Sequence, residues 1–214
     1  MILNLLQISD SFFPTGSFTH SYGLETLVQE GRIGNSDDLR EFLEAVLRNQ
    51  IGPCDLVFMQ NSYRYIERAE EFSRLYSCFK TVPEFYTASL KIGKRLLAVA
   101  SKFAGDEFLS SLVNKPIHYP LAFGVVCRIL NISLKYTSLA FMYCSTVTLA
   151  SAAIRLLPLG HDEAQKIIHS VKPVIEEVCR ENEDRCIDDV WQFSPELEVA
   201  GFRHEKLYSR LFLS

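Results

Sequence analysis

Five histidines, His20, His118, His161, His169 and His204, are the side chains best suited to metal ligation or proton transfer, and their spacing limits both. His204-Glu205 opens like a zincin helix, but the second histidine of H-E-x-x-H falls at Tyr208, so one helix face cannot supply two ligands. A solvated helical His–Glu pair is the expectation. His161 and His169 stand two turns apart and need a third ligand from elsewhere to hold an ion, so they read as surface residues. Pro14-Thr15-Gly16-Ser17 is small and polar but lacks the Gly-Lys-Ser/Thr of a phosphate-binding loop. Neither G-x-S-x-G nor G-x-G-x-x-G occurs, and a free cysteine without an assignable base is ordinarily core filling. The residues therefore supply no catalytic set, cofactor site or metal site. One alternative stays open, a helical metalloenzyme whose histidines and acids meet only in the fold.

Composition narrows the class. In 214 residues, 48% are hydrophobic and 22% charged, with 15 Phe and 9 Tyr, which excludes disorder over the bulk of the chain. Ten Gly and eight Pro leave few turns, favouring long helices over a many-turned β sandwich. A net charge of −4 gives no basic footprint for nucleic acid. Six scattered cysteines without a C-x-x-C pair read as free thiols, and the first residues lack the basic start of a signal peptide, so a cytoplasmic protein is expected.

The elements that must position any site are helical. Ser36-Asp37-Asp38 reads as an N-cap and two acids at the positive end of a helix whose apolar face is Leu39, Phe42, Leu43, Val46 and Leu47. The same periodicity recurs at Phe72, Leu75, Tyr76 and Phe79, at Ile92, Leu96, Val99 and Phe103, and at Ile167, Val171, Val174, Ile175 and Val178, where Pro173 removes a donor and is expected to bend the helix. Residues 136–154 carry no charge and are long enough to span a bilayer, yet their many Ser and Thr favour a central helix enclosed by others. With no linker or repeat, the expectation is an all-α, single-domain bundle over 1–214 around that central helix.

Two stretches carry a family likeness. Leu6-Gln7-Ile8-Ser9-Asp10-Ser11-Phe12-Phe13-Pro14-Thr15-Gly16-Ser17-Phe18-Thr19-His20-Ser21-Tyr22-Gly23-Leu24-Glu25 resembles the opening signature P-x-G-x-F-x-x-S-x-G-L-E of the UreF family of urease accessory proteins. Ala153-Ile154-Arg155-Leu156-Leu157-Pro158-Leu159-Gly160 with Gln165, then His204-Glu205 and Ser209-Arg210-Leu211-Phe212-Leu213-Ser214, resemble its later patterns A-x-R-L-x-P-L-G, H-E and S-R-L-F-R-S. Ser17, His161 and Leu213 depart from the usual Gly, Gln and Arg, leaving Arg210 as the one tail arginine. The resemblance implies a non-catalytic, all-helical homodimer in the nickel maturation of urease. Such a protein binds the accessory protein UreD, also called UreH, recruits the GTPase UreG and joins both to apo-urease. It implies no nucleic-acid or membrane partner and leaves nickel and nucleotide to the other proteins.

Physical weighing of the motif residues leaves alternatives. Pro14 and Gly16 suit a tight connection, Gly16 through positive φ, or a contact surface. Phe18, Leu24 and Leu27 read as one buried helical face, with His20, Tyr22 and Glu25 lining a partner surface. Arg155 either caps the central helix or points into an interface. Tyr208, Arg210, Leu211 and Phe212 are interface-type residues in a tail, about 204–214, that either folds back or orders on a partner. Partner docking is favoured, so the helical core is expected not to depend on the tail. Aromatic stretches at Tyr63–Tyr65 and Phe79–Phe85 lack an obvious partner and add to the expectation of self-association.

Overall fold

The computed structural model describes residues 2–214, and among these there is no strand. Helices α1 (Ile2–Ser9), α2 (Leu24–Gln29), α3 (Ser36–Val46), α4 (Val57–Arg64), α5 (Ala69–Ser77), α6 (Pro83–Ala104), α7 (Glu107–Leu112), α8 (Tyr119–Ile129), α9 (Leu134–Leu156), α10 (His161–Glu181) and α11 (Pro195–His204) pack into one all-α unit around a continuous hydrophobic core. The broadest packing joins α4 to α8, α6 to α8 and α9 to α10.

The cap of α3 falls one residue earlier than expected. Asn35, in extended conformation, accepts hydrogen bonds from the backbone N–H groups of Asp37 and Asp38 at 2.9 and 3.1 Å, satisfying two donors that a helix start leaves free. Leu39, Leu43, Val46 and Leu47 are buried as the periodicity requires. Between α3 and α4 the residues Leu47–Leu56 wind as a π-helix, making one uninterrupted helical run from Ser36 to Arg64. Pro53 lies inside this stretch and has no N–H to donate. Helix α10 likewise continues through Pro173 as one element.

The uncharged segment is indeed a long helix, but α9 is not enclosed all round. Thr137, Ser138, Phe141, Met142, Thr146, Leu149 and Ala153 face inward, while Tyr136 and Tyr143 are exposed. Hydroxyls of Thr137, Ser145, Thr146 and Thr148 bond back to carbonyls one turn earlier, so the helix needs no charged face to satisfy its polar groups. By length and composition α9 could cross a membrane; here it packs on α1, α2, α8 and α10. The aromatic stretches also find partners within the chain. Phe58 meets Tyr76 and Phe79 edge-on at 5.1 and 5.7 Å, Phe85 is buried, and the Tyr63 hydroxyl donates to the Ile132 carbonyl at 2.8 Å. Only Tyr65 of that group stays largely outside. Those stretches therefore lend no support to self-association.

Candidate functional site

The two signature regions, at opposite ends of the sequence, meet in space. After the 3₁₀ turn Ser17–Thr19, the backbone reverses at Ser21–Leu24, with Tyr22 at φ +51° and Gly23 at φ +85° and the Leu24 N–H donating to the Ser21 carbonyl at 3.1 Å. These values match a type I′ turn, which glycine or asparagine adopts easily. Gly23 fits for a second reason, because a Cβ there would press to 3.2 Å from the Leu197 carbonyl of α11. Tyr22 is a bulky residue in a left-handed conformation, a strain on the order of 1–3 kcal/mol that the surroundings must offset.

The offset comes from the tail. The Ser214 carbonyl accepts from the Ser21 and Tyr22 backbone N–H groups at 2.6 and 3.0 Å and from the Ser21 hydroxyl at 2.7 Å. Leu213 N–H donates to the Thr19 carbonyl at 2.9 Å, and the Ser214 hydroxyl lies 2.8 Å from His20 Nδ1. Phe212 is buried, with the Arg155 guanidinium 4.3 Å above its ring and the same arginine donating to the Phe18 carbonyl at 3.0 Å. Arg155 thus clamps the tail to the 3₁₀ turn instead of capping α9.

Beneath the tail lies a buried cluster of His204 and two glutamates. His204 is 0% exposed and Glu25 2% exposed. Nδ1 of the histidine is 2.6 Å from Glu84 Oε2 and Nε2 is 3.0 Å from Glu25 Oε2. The Glu25 carboxylate also accepts the backbone N–H groups of Leu211 and Phe212 at 2.7 and 3.1 Å, and Arg210 donates to Glu84 at 2.9 Å. Every contact is a donor–acceptor pair when the imidazole carries a proton on each nitrogen. The carboxylates approach opposite sides of the ring and converge on no common point. Among the described residues no three His, Cys, Asp or Glu side chains are placed to hold a metal ion. The fold does assemble a His/acid cluster, but one that fastens the tail.

Several expectations change once the fold is in view. His204 is buried, not half of a solvated pair, because α11 lies on α2 and α6 and turns its last residue inward; Glu205 alone is exposed. His20 and Glu25 are buried and Tyr22 half-buried, so none of the three lines an outer surface. Phe18 is 64% exposed, since the positive-φ turn at Tyr22–Gly23 breaks the helical face it was expected to share with Leu24 and Leu27, which are core. Gly16 has φ +83°, as the tight connection requires, and Pro14 is exposed with its carbonyl held by Arg95 at 3.0 Å. The tail is folded back on its own helices. Its outward residues include Tyr208, Arg210, Leu211 and Leu213. His161 and His169 are on the surface as expected.

Burial also shifts several other titratable groups. It brings His20 down to about 4, helped by the Lys91 charge, and His118 down to about 4, helped by Lys80. It pushes up the Cys144 and Cys179 thiols, to about 11 and about 12, and those of Cys54 and Cys127 further still, which leaves all four unreactive. All six cysteines are unpaired. Glu84 was not foreseen: an acid after Pro83 in the first turn of α6 reads only as a partner for the helix dipole.

The UreF family profile matches residues 33–172. A urease accessory protein UreF from Trichodesmium erythraeum is 37% identical over 221 residues, covering 98% of this chain and 95% of the relative. Proteins of the same name from Paenarthrobacter aurescens and from Rhodopseudomonas palustris are 29% and 30% identical, with 99% and 94% of this chain covered and 97% and 88% of theirs. Each of these relatives is named as a urease accessory protein. The chain belongs to the UreF family of urease accessory proteins.

Proposed function

We propose that the protein is a scaffold for nickel insertion into urease, joining a UreD/UreH-type accessory protein to the GTPase UreG and presenting both to apo-urease. The observation that carries this reading is the two-sided tail. Its inner side is fixed by Phe212, Ser214 and the Glu25 contacts, while Tyr208, Leu211 and Leu213 stand 106%, 54% and 62% exposed and Phe18 64%. Large apolar side chains on a fixed backbone lose little freedom on binding, which is the character of an interface hot spot. On α1, Ile2, Leu3 and Leu6 are also exposed.

We further propose a homodimer across the open face of α9, where Tyr136 and Tyr143 stand one heptad apart and exposed. The nickel is cargo and the nucleotide belongs to UreG; the protein works in the cytoplasm and away from membranes and nucleic acid. The test is capture of the UreD/UreH-type partner by Tyr208→Ala with Leu211→Ala, beside a thermal melt. These changes touch only the outer side, so the melt should stay unchanged while affinity falls by about 30-fold or more. Wild-type capture by the double variant would remove the tail from the interface.

A further inference from the structure

Tyr22 belongs to two structures at once. Its backbone N–H is held with that of Ser21 by the Ser214 carbonyl, in a left-handed conformation that a tyrosine does not favour unaided. Its ring packs at 5.8 Å from His20 and 5.7 Å from Phe85, and forms part of the wall of a partly open cavity of about 80 Å³.

That cavity is walled mostly by apolar side chains, with one polar cluster among them. The Asp55 and Lys80 side chains, 15% and 7% exposed, form a 2.8 Å ion pair there, and the Tyr76 hydroxyl donates to the same Asp55 oxygen at 2.8 Å. Ser89, Tyr119 and Thr148 also line the cavity, with Phe42, Phe85 and Phe141 among its apolar walls. Burial raises the Tyr22 phenol above its ordinary range and the Asp55 charge raises it further, so the hydroxyl lies within reach of the pair's field. A volume of this size has room for a few waters beside the polar cluster, and the strength of a buried ion pair depends on whether bulk solvent can enter.

We propose that Tyr22 is a positioning residue that couples the seating of the tail to closure of the Asp55–Lys80 cavity. With Ser214 docked, the turn is fixed and the ring stays in the cavity wall. With the tail lifted, the backbone loses the two bonds that hold it left-handed, Tyr22 returns to the ordinary right-handed region, and the wall opens. Rearrangement of the Ser21–Gly23 turn is enough, because that turn lies directly under the tail. A partner that clamps the tail's outer side then closes the cavity, a corollary resting on the function proposed above.

The test uses the full chain carrying Ser89→Cys, a cavity-wall position that is 6% exposed, and follows modification of the introduced thiol by methyl methanethiosulfonate with peptide-resolved mass spectrometry. Cys127, 0% exposed, reports global opening in the same sample. Phe212→Ala, which loosens the tail without touching the cavity, should accelerate labelling of the introduced thiol at least tenfold more than it accelerates labelling of Cys127. Tyr22→Gly, which removes the ring and suits the positive φ, should do the same with the tail intact. Adding Phe212→Ala to it should bring no further acceleration. An introduced thiol unmoved by Phe212→Ala, both thiols accelerating together, or additive effects of the two changes would each overturn the coupling. The partner arm is separate: if the free-chain results hold and added UreD/UreH-type partner leaves labelling of the introduced thiol unslowed, the tail-docking function falls while the coupling stands.

Discussion

Glu25 and His204, 179 positions apart in the chain, face each other at 3.0 Å in the interior, and the same carboxylate receives the backbone of the tail. The histidine therefore acts on the tail through an acceptor it holds in place. His204→Ala would leave two glutamates facing a cavity with one donor fewer each. The expected cost is about 3 kcal/mol or more of folding stability. In a cycle with Glu25→Gln the two effects should fail to add by on the order of 1–3 kcal/mol, read from urea denaturation; simple additivity would show that the cluster is not a unit.

Phe212 gives a second prediction. Its ring is 3% exposed and carries the Arg155 contact, so Phe212→Ala should destabilise the chain by about 3 kcal/mol. The sequence-based expectation of a core independent of its tail points the other way. Thermal melts and trypsin cleavage at Lys206 and Arg210 separate the two: a normal melt with unchanged cleavage would mean that the tail's packing adds nothing.

Acid should weaken the fold through its buried histidines. His20 and His118 bind a proton near 6.5 when unfolded and only at about 4 when folded, so the unfolded chain holds more protons between those values. Their contribution is fully present above pH 6.5 and is lost as pH falls toward 4. For His118 the slope is about 1.4 kcal/mol per pH unit. Urea midpoints at about pH 7, 5.5 and 4.5, which span most of that window, should fall less steeply for His118→Gln than for wild type; parallel curves would assign the acid sensitivity to other groups.

The open face of α9 predicts an association that can be removed without unfolding. Tyr136→Glu with Tyr143→Glu places charge on two exposed positions, so the thermal midpoint of the monomer should move little. Sedimentation at micromolar concentration should show wild type as a dimer and the variant as a monomer. Wild type sedimenting as a monomer would withdraw the dimer.

The long helices were legible because their burial is periodic: Leu39 to Leu47 and Ile167 to Val178 announce one inward face each. The π-helical stretch was not, since Leu47–Leu56 carries no spacing that distinguishes it from an ordinary helix until Pro53 is seen to sit inside it. Motif residues were visible as a set, but their direction was not. His204 was read as solvated because local pattern sees only Glu205 beside it, whereas its partners Glu25 and Glu84 come from α2 and α6. The same blindness sent His20, Tyr22 and Glu25 outward on paper. Burial of Glu25 by a segment 186 positions away leaves no trace in the residues adjoining it.

The union of Ser21 with Ser214, 193 positions apart, also sets an order of assembly. Contacts such as α4 on α8 or α9 on α10 close shorter loops and can form while the tail is still free. The junction has to wait for a body already built, so refolding should show a slow last phase in which α-helical signal is complete but Lys206 and Arg210 are still open to trypsin. During that interval Tyr22 has no partner for its N–H and Phe212 is unburied, which makes the closing of the chain upon itself the step most exposed to aggregation and to a chaperone's attention.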